Sequence, residues 1–284
     1  MNERRFAIGG IHLSIAEAGA GQNPLLLVHG FTGAKEDFTP WLDRLADAGW
    51  HAVAPDLRGH GASSKPAQET DYSFEILADD MLGLADALGW ERFVLLGHSM
   101  GGMVAQFIAC QAAARLDGLI LMDTAHGPLH NLDPGLVDAA VTIVRTQGID
   151  ALASILAERQ GPLETAAHRR LIDGQAGYAE FCDRKLRDTS PALYAAMAPA
   201  FVTTADRLDS LRALPESLPV LVVAGELDEP FLGPSKRMAD SVGEAVLEII
   251  PDAGHCPQFE NRQAWWQALS SFLATVAPTG AFPA

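Results

Sequence analysis

The chain has 284 residues, 48% hydrophobic and 20% charged, which suits one sizeable apolar core with an insertion. Its 20 lysines and arginines against 36 aspartates and glutamates leave a net charge of −16, with no basic patch to offset it. Phosphate backbones and anionic membranes are repelled by such a surface, so neither nucleic acid nor membrane is expected as a partner, and the acidity reads as solubility.

Short apolar runs alternate with longer helix-patterned segments, which predicts an α/β fold with a mostly parallel central sheet flanked by helices. Strands are expected over 6–8 and 11–16, joined as an antiparallel hairpin at Gly9-Gly10, then over 25–29 and 51–54. Helices are expected over 39–48 and 74–88. The polar start Met1-Asn2-Glu3-Arg4-Arg5 has no apolar signal core, and a cytoplasmic location is expected.

A strand over 93–96 runs into Gly97-His98-Ser99-Met100-Gly101, and a helical pattern follows over 103–114. Ser99 therefore sits on a strand-to-helix turn. Small glycines let the backbone bend sharply enough to push the hydroxyl out, and the helix N-terminus offers free N–H groups to a developing negative charge. The next strand, over 119–123, ends at Asp123.

From there strand signals vanish, and helical segments follow one another, broken by Pro134, Gly148, Gly161-Pro162, Gly174, Gly177 and Pro191. This predicts a helical cap inserted over 125–205 into a core made of 1–124 and 206–284. Strands over 220–224 and 245–250 complete the sheet, a helix over 264–275 follows, and 277–284 reads as a frayed tail. In open α/β sheets ligands collect beyond the carboxyl ends of the strands, the region such a cap would roof.

A serine hydroxyl is a weak nucleophile at neutral pH; it needs a base, and the base needs a group that fixes its tautomer. Beyond 220–224 comes Gly225-Glu226-Leu227-Asp228-Glu229-Pro230, and beyond 245–250 comes Pro251-Asp252-Ala253-Gly254-His255-Cys256-Pro257. Asp123, Glu226 and Glu229 compete with Asp228 as the carboxylate, whereas Asp56, in a turn with Arg58 and Gly59, reads as structural. Of the 9 histidines, His29, His60 and His98 lie beside glycines and are expected to bond neighbouring backbone. The 3 cysteines lack Cys-x-x-Cys spacing, no His-Glu-x-x-His occurs, and Ser99 takes the second glycine position of a dinucleotide fingerprint. No metal and no cofactor are expected.

Five motifs in order, His29-Gly30-Phe31, Asp56-Leu57-Arg58-Gly59-His60-Gly61-Ala62-Ser63, Gly97-His98-Ser99-Met100-Gly101-Gly102, Gly225-Glu226-Leu227-Asp228 and Gly254-His255, resemble those of α/β-hydrolase-fold serine hydrolases. The resemblance covers nearly the whole chain and points to the capped group of carboxylesterases, lactonases, carbon-carbon bond hydrolases and cofactor-free haloperoxidases. It implies Ser99 as nucleophile, His255 as general base and acid, Asp228 as the orienting carboxylate, and the backbone N–H groups of Phe31 and Met100 as oxyanion donors. Asp123 ends the strand where some relatives carry their acid.

The implied activity is carboxylesterase action on a small-molecule ester through an acyl-enzyme, with lactone opening or carbon-carbon cleavage as alternatives and non-catalytic, receptor-like ligand binding as a further one. A serine nucleophile differs from the aspartate of epoxide hydrolases and haloalkane dehalogenases. Cys256 follows His255 where carbon-carbon hydrolases of ring-cleavage products usually carry an aromatic. Within the insertion, Leu193, Tyr194, Met197 and Phe201 fall at near-helical spacing and are expected to line an apolar substrate pocket.

Overall fold

The structure, a computed structural model, describes residues 1–158 and 164–276; the Gly161-Pro162 break and the tail 277–284 lie outside the described residues. Strands β1 (Asn2–Ile8) and β2 (Ile11–Ala18) form the expected hairpin, with Ile8 paired to Ile11 across Gly9 and Gly10, both at positive φ. β1 starts earlier than its apolar residues do, because pairing with β2 rather than burial orders the exposed Asn2 to Arg5.

Next come β3 (Asn23–Val28), α1 (Thr39–Asp47), β4 (Trp50–Pro55), α2 (Phe74–Ala87), β5 (Phe93–His98), α3 (Met100–Ala112) and β6 (Leu116–Met122). α4 (Pro134–Gln147), α5 (Ile149–Ala157), α6 (Ala166–Gly174), α7 (Tyr178–Arg187), α8 (Pro191–Thr203) and the short α9 (Leu208–Arg212) separate β6 from β7 (Val220–Gly225). α10 (Glu229–Ser241), β8 (Val246–Ile250), α11 (Pro257–Glu260) and α12 (Arg262–Val276) complete the described chain.

The strands form one 8-stranded sheet in the order β1-β2-β4-β3-β5-β6-β7-β8. β2 runs antiparallel to both β1 and β4, and every other pairing is parallel. Central strands covered on both faces are largely apolar, and every residue of β5 and β7 is buried. One face packs on α2 and α3 through Leu77, Met81, Val104 and Ile108; the other packs on α1 and α12 through Trp41, Leu45, Trp265 and Leu269. Each fully buried aliphatic side chain contributes roughly 1.5–3 kcal/mol of transfer free energy. The parallel run from β4 to β8 brings the loops after β3, β5, β6, β7 and β8 to one end of the sheet.

The segment between β6 and β7 builds small cores of its own, with α4 packed on α8 through Val141, Ala195 and Ala198 and a second cluster of Val144, Ile149 and Leu152. Lys185 of α7 reaches out of this segment to pair with the buried Asp37 in the loop between β3 and α1. Among the described residues no helix is long and apolar enough to cross a membrane.

Candidate active site

Ser99 occupies the single residue between β5 and α3, at φ 53° and ψ −117°. A non-glycine residue in that region carries about 1–3 kcal/mol of strain, so its surroundings must hold it there. They do so by close approach. A Cβ at Gly97 would lie 2.2 Å from the Gly101 carbonyl oxygen, and one at Gly101 would lie 2.4 Å from that of Val28. The Ser99 N–H donates to the Met122 carbonyl at 2.9 Å, and the Thr124 hydroxyl donates to the Ser99 carbonyl at 2.7 Å. α3 begins at Met100 rather than at 103, because Gly101 and Gly102 serve this packing despite their poor helix propensity.

His255, in the loop after β8, reaches both partners. Its Nδ1 lies 2.8 Å from Asp228 Oδ2 and its Nε2 lies 3.0 Å from Ser99 Oγ. A carboxylate at Nδ1 places the proton there and leaves Nε2 free to accept the serine proton. Asp228 is fully buried in the turn between β7 and α10. The loop itself is braced: His98 donates from Nε2 to the His255 carbonyl at 2.7 Å, the Phe231 ring stacks on the imidazole at 4.7 Å, and the Gly254 N–H donates to the Glu260 carboxylate. Burial first, then the neighbouring His255, lowers the His98 pKa to about 3, so His98 stays neutral and keeps a fixed donor.

The loop after β3 passes against the serine, since a Cβ at Gly30 would lie 3.0 Å from Ser99 Cβ. His29 steadies it, with Nδ1 donating to the Gly30 carbonyl at 2.8 Å while Nε2 accepts the Leu57 N–H at 3.0 Å. Phe31 follows Gly30 in the chain, and Met100, the first residue of α3, has an N–H with no intrahelical acceptor. The Phe31 ring meets Tyr194 at 4.9 Å and Phe201 at 5.0 Å, both from α8. Leu193 and Met197, expected beside them, are 0% and 1% exposed and belong to the main core cluster. Leu193 lies against Gly59 and α8 thus turns its neighbouring residues to different surroundings.

Of the competing carboxylates, Glu226 and Glu229 are exposed, and Glu226 accepts the Asp252 N–H at 2.9 Å. Asp56 binds the Lys35 N–H at 2.8 Å, its ammonium at 3.0 Å and the Ala62 N–H at 2.9 Å, the bonding expected of a turn. Asp123 is different. It is fully buried, and one oxygen each of Asp123 and Asp228 lie, with a His255 ring nitrogen, all within 4.8 Å of one another. Its Oδ1 accepts the Gly225 N–H at 2.7 Å. The sequence offers Asp123 and Asp228 as rivals, but the adjacent strands β6 and β7 deliver both to one place. The braces from His98, Glu260 and Phe231 also escape it, since His98 and His255 stand 157 positions apart.

A family model described as the alpha/beta hydrolase fold matches residues 23–262. The chain is similar to 2-hydroxymuconate semialdehyde hydrolase of Pseudomonas sp. (strain CF600), with 28% identity over 95% of this chain and 93% of that protein. It is also similar to 2-(acetamidomethylene)succinate hydrolase of Mesorhizobium japonicum, with 30% identity over 95% of this chain and 94% of that protein. Among solved structures it is similar to a thermophilic esterase from Thermogutta terrifontis with malate bound, at a TM-score of 0.83 and 29% identity, covering 98% of this chain and 100% of that one.

Proposed function

The chain belongs to the alpha/beta hydrolase fold family, and we propose on that footing that it is a serine hydrolase cleaving small-molecule carboxylic esters by acyl transfer. One observation carries the reading: His255 stands 3.0 Å from the Ser99 hydroxyl and 2.8 Å from the buried Asp228. In this reading Ser99 Oγ attacks the ester carbonyl as its proton passes to His255 Nε2, and Asp228 stabilises the imidazolium. The Phe31 and Met100 N–H groups receive the oxyanion. His255 then protonates the departing alkoxide, leaving the acyl group on Ser99. Water activated by His255 releases the carboxylic acid and restores the serine.

Residues 125–205 act as a cap over this centre, a role supported by the packing of Tyr194 and Phe201 on Phe31. Lactone opening is the same acyl transfer on a cyclic ester. A second reading, cleavage of a carbon-carbon bond beside a carbonyl by the same residues, is favoured by the near full-length likeness to 2-hydroxymuconate semialdehyde hydrolase and opposed by Cys256 after His255. Turnover of a chromogenic short-chain ester tests the main reading. Loss of that turnover in a folded Ser99→Ala variant, with organophosphate modification confined to the Ser99 peptide of the wild type, is expected; full activity in Ser99→Ala would sink it.

A further inference from the structure

Two fully buried carboxyl groups face His255, and four oxygens have to be accounted for. Asp123 Oδ1 accepts the Gly225 N–H at 2.7 Å and Asp228 Oδ2 meets His255 Nδ1 at 2.8 Å. The other two oxygens, Asp123 Oδ2 and Asp228 Oδ1, are buried with no hydrogen-bond partner. Ionised carboxylates only accept, so two anions here would leave both oxygens unpaired and set two like charges side by side away from water. A single proton between those oxygens removes both costs.

We propose that Asp123 is a positioning residue held as the neutral acid, its proton donated from Oδ2 to Oδ1 of Asp228 so that Asp228 is fixed from both sides. The proton belongs on Asp123 because Asp228 has the imidazole as its partner, whereas Asp123 has a single backbone N–H. Burial, then the charge of Asp228 and the bond between the two carboxyls, push the Asp123 carboxyl well above its ordinary value; the Gly225 N–H opposes this, and Glu260 of α11 adds to it. Donating to Asp228, Asp123 leaves one negative charge opposite the imidazolium and locks the Asp228 rotamer that aims Oδ2 at Nδ1. The inference rests on the triad reading above, although the location of the proton can be measured without turnover.

The test is an infrared difference spectrum, wild type minus Asp123→Asn, at neutral pH. The carbonyl stretch of a neutral carboxylic acid is expected in the wild type and lost in the variant; its absence from the wild type overturns the proposal whatever the enzyme hydrolyses. The pH profile of kcat/KM on a chromogenic ester gives the functional side. Asn keeps a donor for Asp228 and an acceptor for Gly225 and exchanges one neutral group for another, so its acid limb should superimpose on that of the wild type. Removal of a true anion beside His255 would move that limb to lower pH, which would overturn the proposal. Asp123→Leu, with neither donor nor acceptor, should lower kcat about 10- to 100-fold with KM little changed, and recovery with Asn but not Leu separates positioning from simple space filling.

Discussion

The side chain of His98 holds the main chain of His255: Nε2–H donates to the His255 carbonyl at 2.7 Å, joining the turn that carries Ser99 to the loop that carries the His255 imidazole. Replacement by Phe, which fills the space without a donor, should lower kcat by about 10²-fold, because displacements near 1 Å at a reacting centre have effects of that size. The variant should also alter stability against pH. A folded-state value of about 3, against 6.5 for an ordinary histidine, means that only the unfolded chain takes up this proton as pH falls through that window. Wild-type stability is therefore lost on acidification from 6.5 towards 3, and His98→Phe should show a shallower slope in melting experiments over the same interval.

Asp228→Asn should be far more damaging than Asp123→Asn. Of the two carboxylates only Asp228 bonds the imidazole, and an amide there favours the wrong tautomer; the same replacement in a serine protease costs about 10⁴-fold in kcat. Steady-state kinetics on folded variants gives the ranking. A reversed order would move the orienting role to Asp123.

Asp123 also predicts a stability effect opposite in sign to that of His98. With its carboxyl raised well above 3.8, the folded chain retains a proton that the unfolded chain releases as pH rises past that value. Stability is thus fully present below 3.8 and is drained as pH climbs towards the folded-state value. Asn does not titrate, so the melting temperature of Asp123→Asn should gain on the wild type with rising pH. A difference independent of pH would contradict the raised value.

Truncations along α8 should separate into two kinds. Tyr194→Ala and Phe201→Ala remove rings that touch Phe31 and should change acyl-chain preference by about 10- to 200-fold in relative kcat/KM over an ester series. Met197→Ala empties a site that is 1% exposed inside the main core, so a loss of about 2–5 kcal/mol without a changed preference is expected. Unfolding curves and ester profiles on the same variants decide it. An altered profile in Met197→Ala would bring that side chain to the substrate.

The parts legible in the sequence are those whose cause is local. β3, β5, β6 and β7 are short apolar runs because both sheet faces are covered, and the Ser99 turn announces itself through its glycines and the flanking elements. Convergence of side chains from separate elements is different. Asp123 and Asp228 meet because β6 and β7 are neighbours in register, with Met122 opposite Val223, and no spacing in the chain encodes that. The division of α8 was hidden for another reason: its sequence is apolar on most sides, so periodicity could not tell Leu193, which meets Gly59, from Tyr194, which meets Phe31.

The backbone of Ser99, at φ 53°, is one that glycine adopts without penalty and serine does not. Ser99→Gly should therefore melt no lower than the wild type, and the thermodynamically preferred occupant of this turn is one with no chemistry. On the proposed reading, heat resistance sought without a concurrent assay for turnover would drift toward discarding the nucleophilic hydroxyl, so among variants improved for stability alone, position 99 is where a gain in robustness would report a lost catalyst.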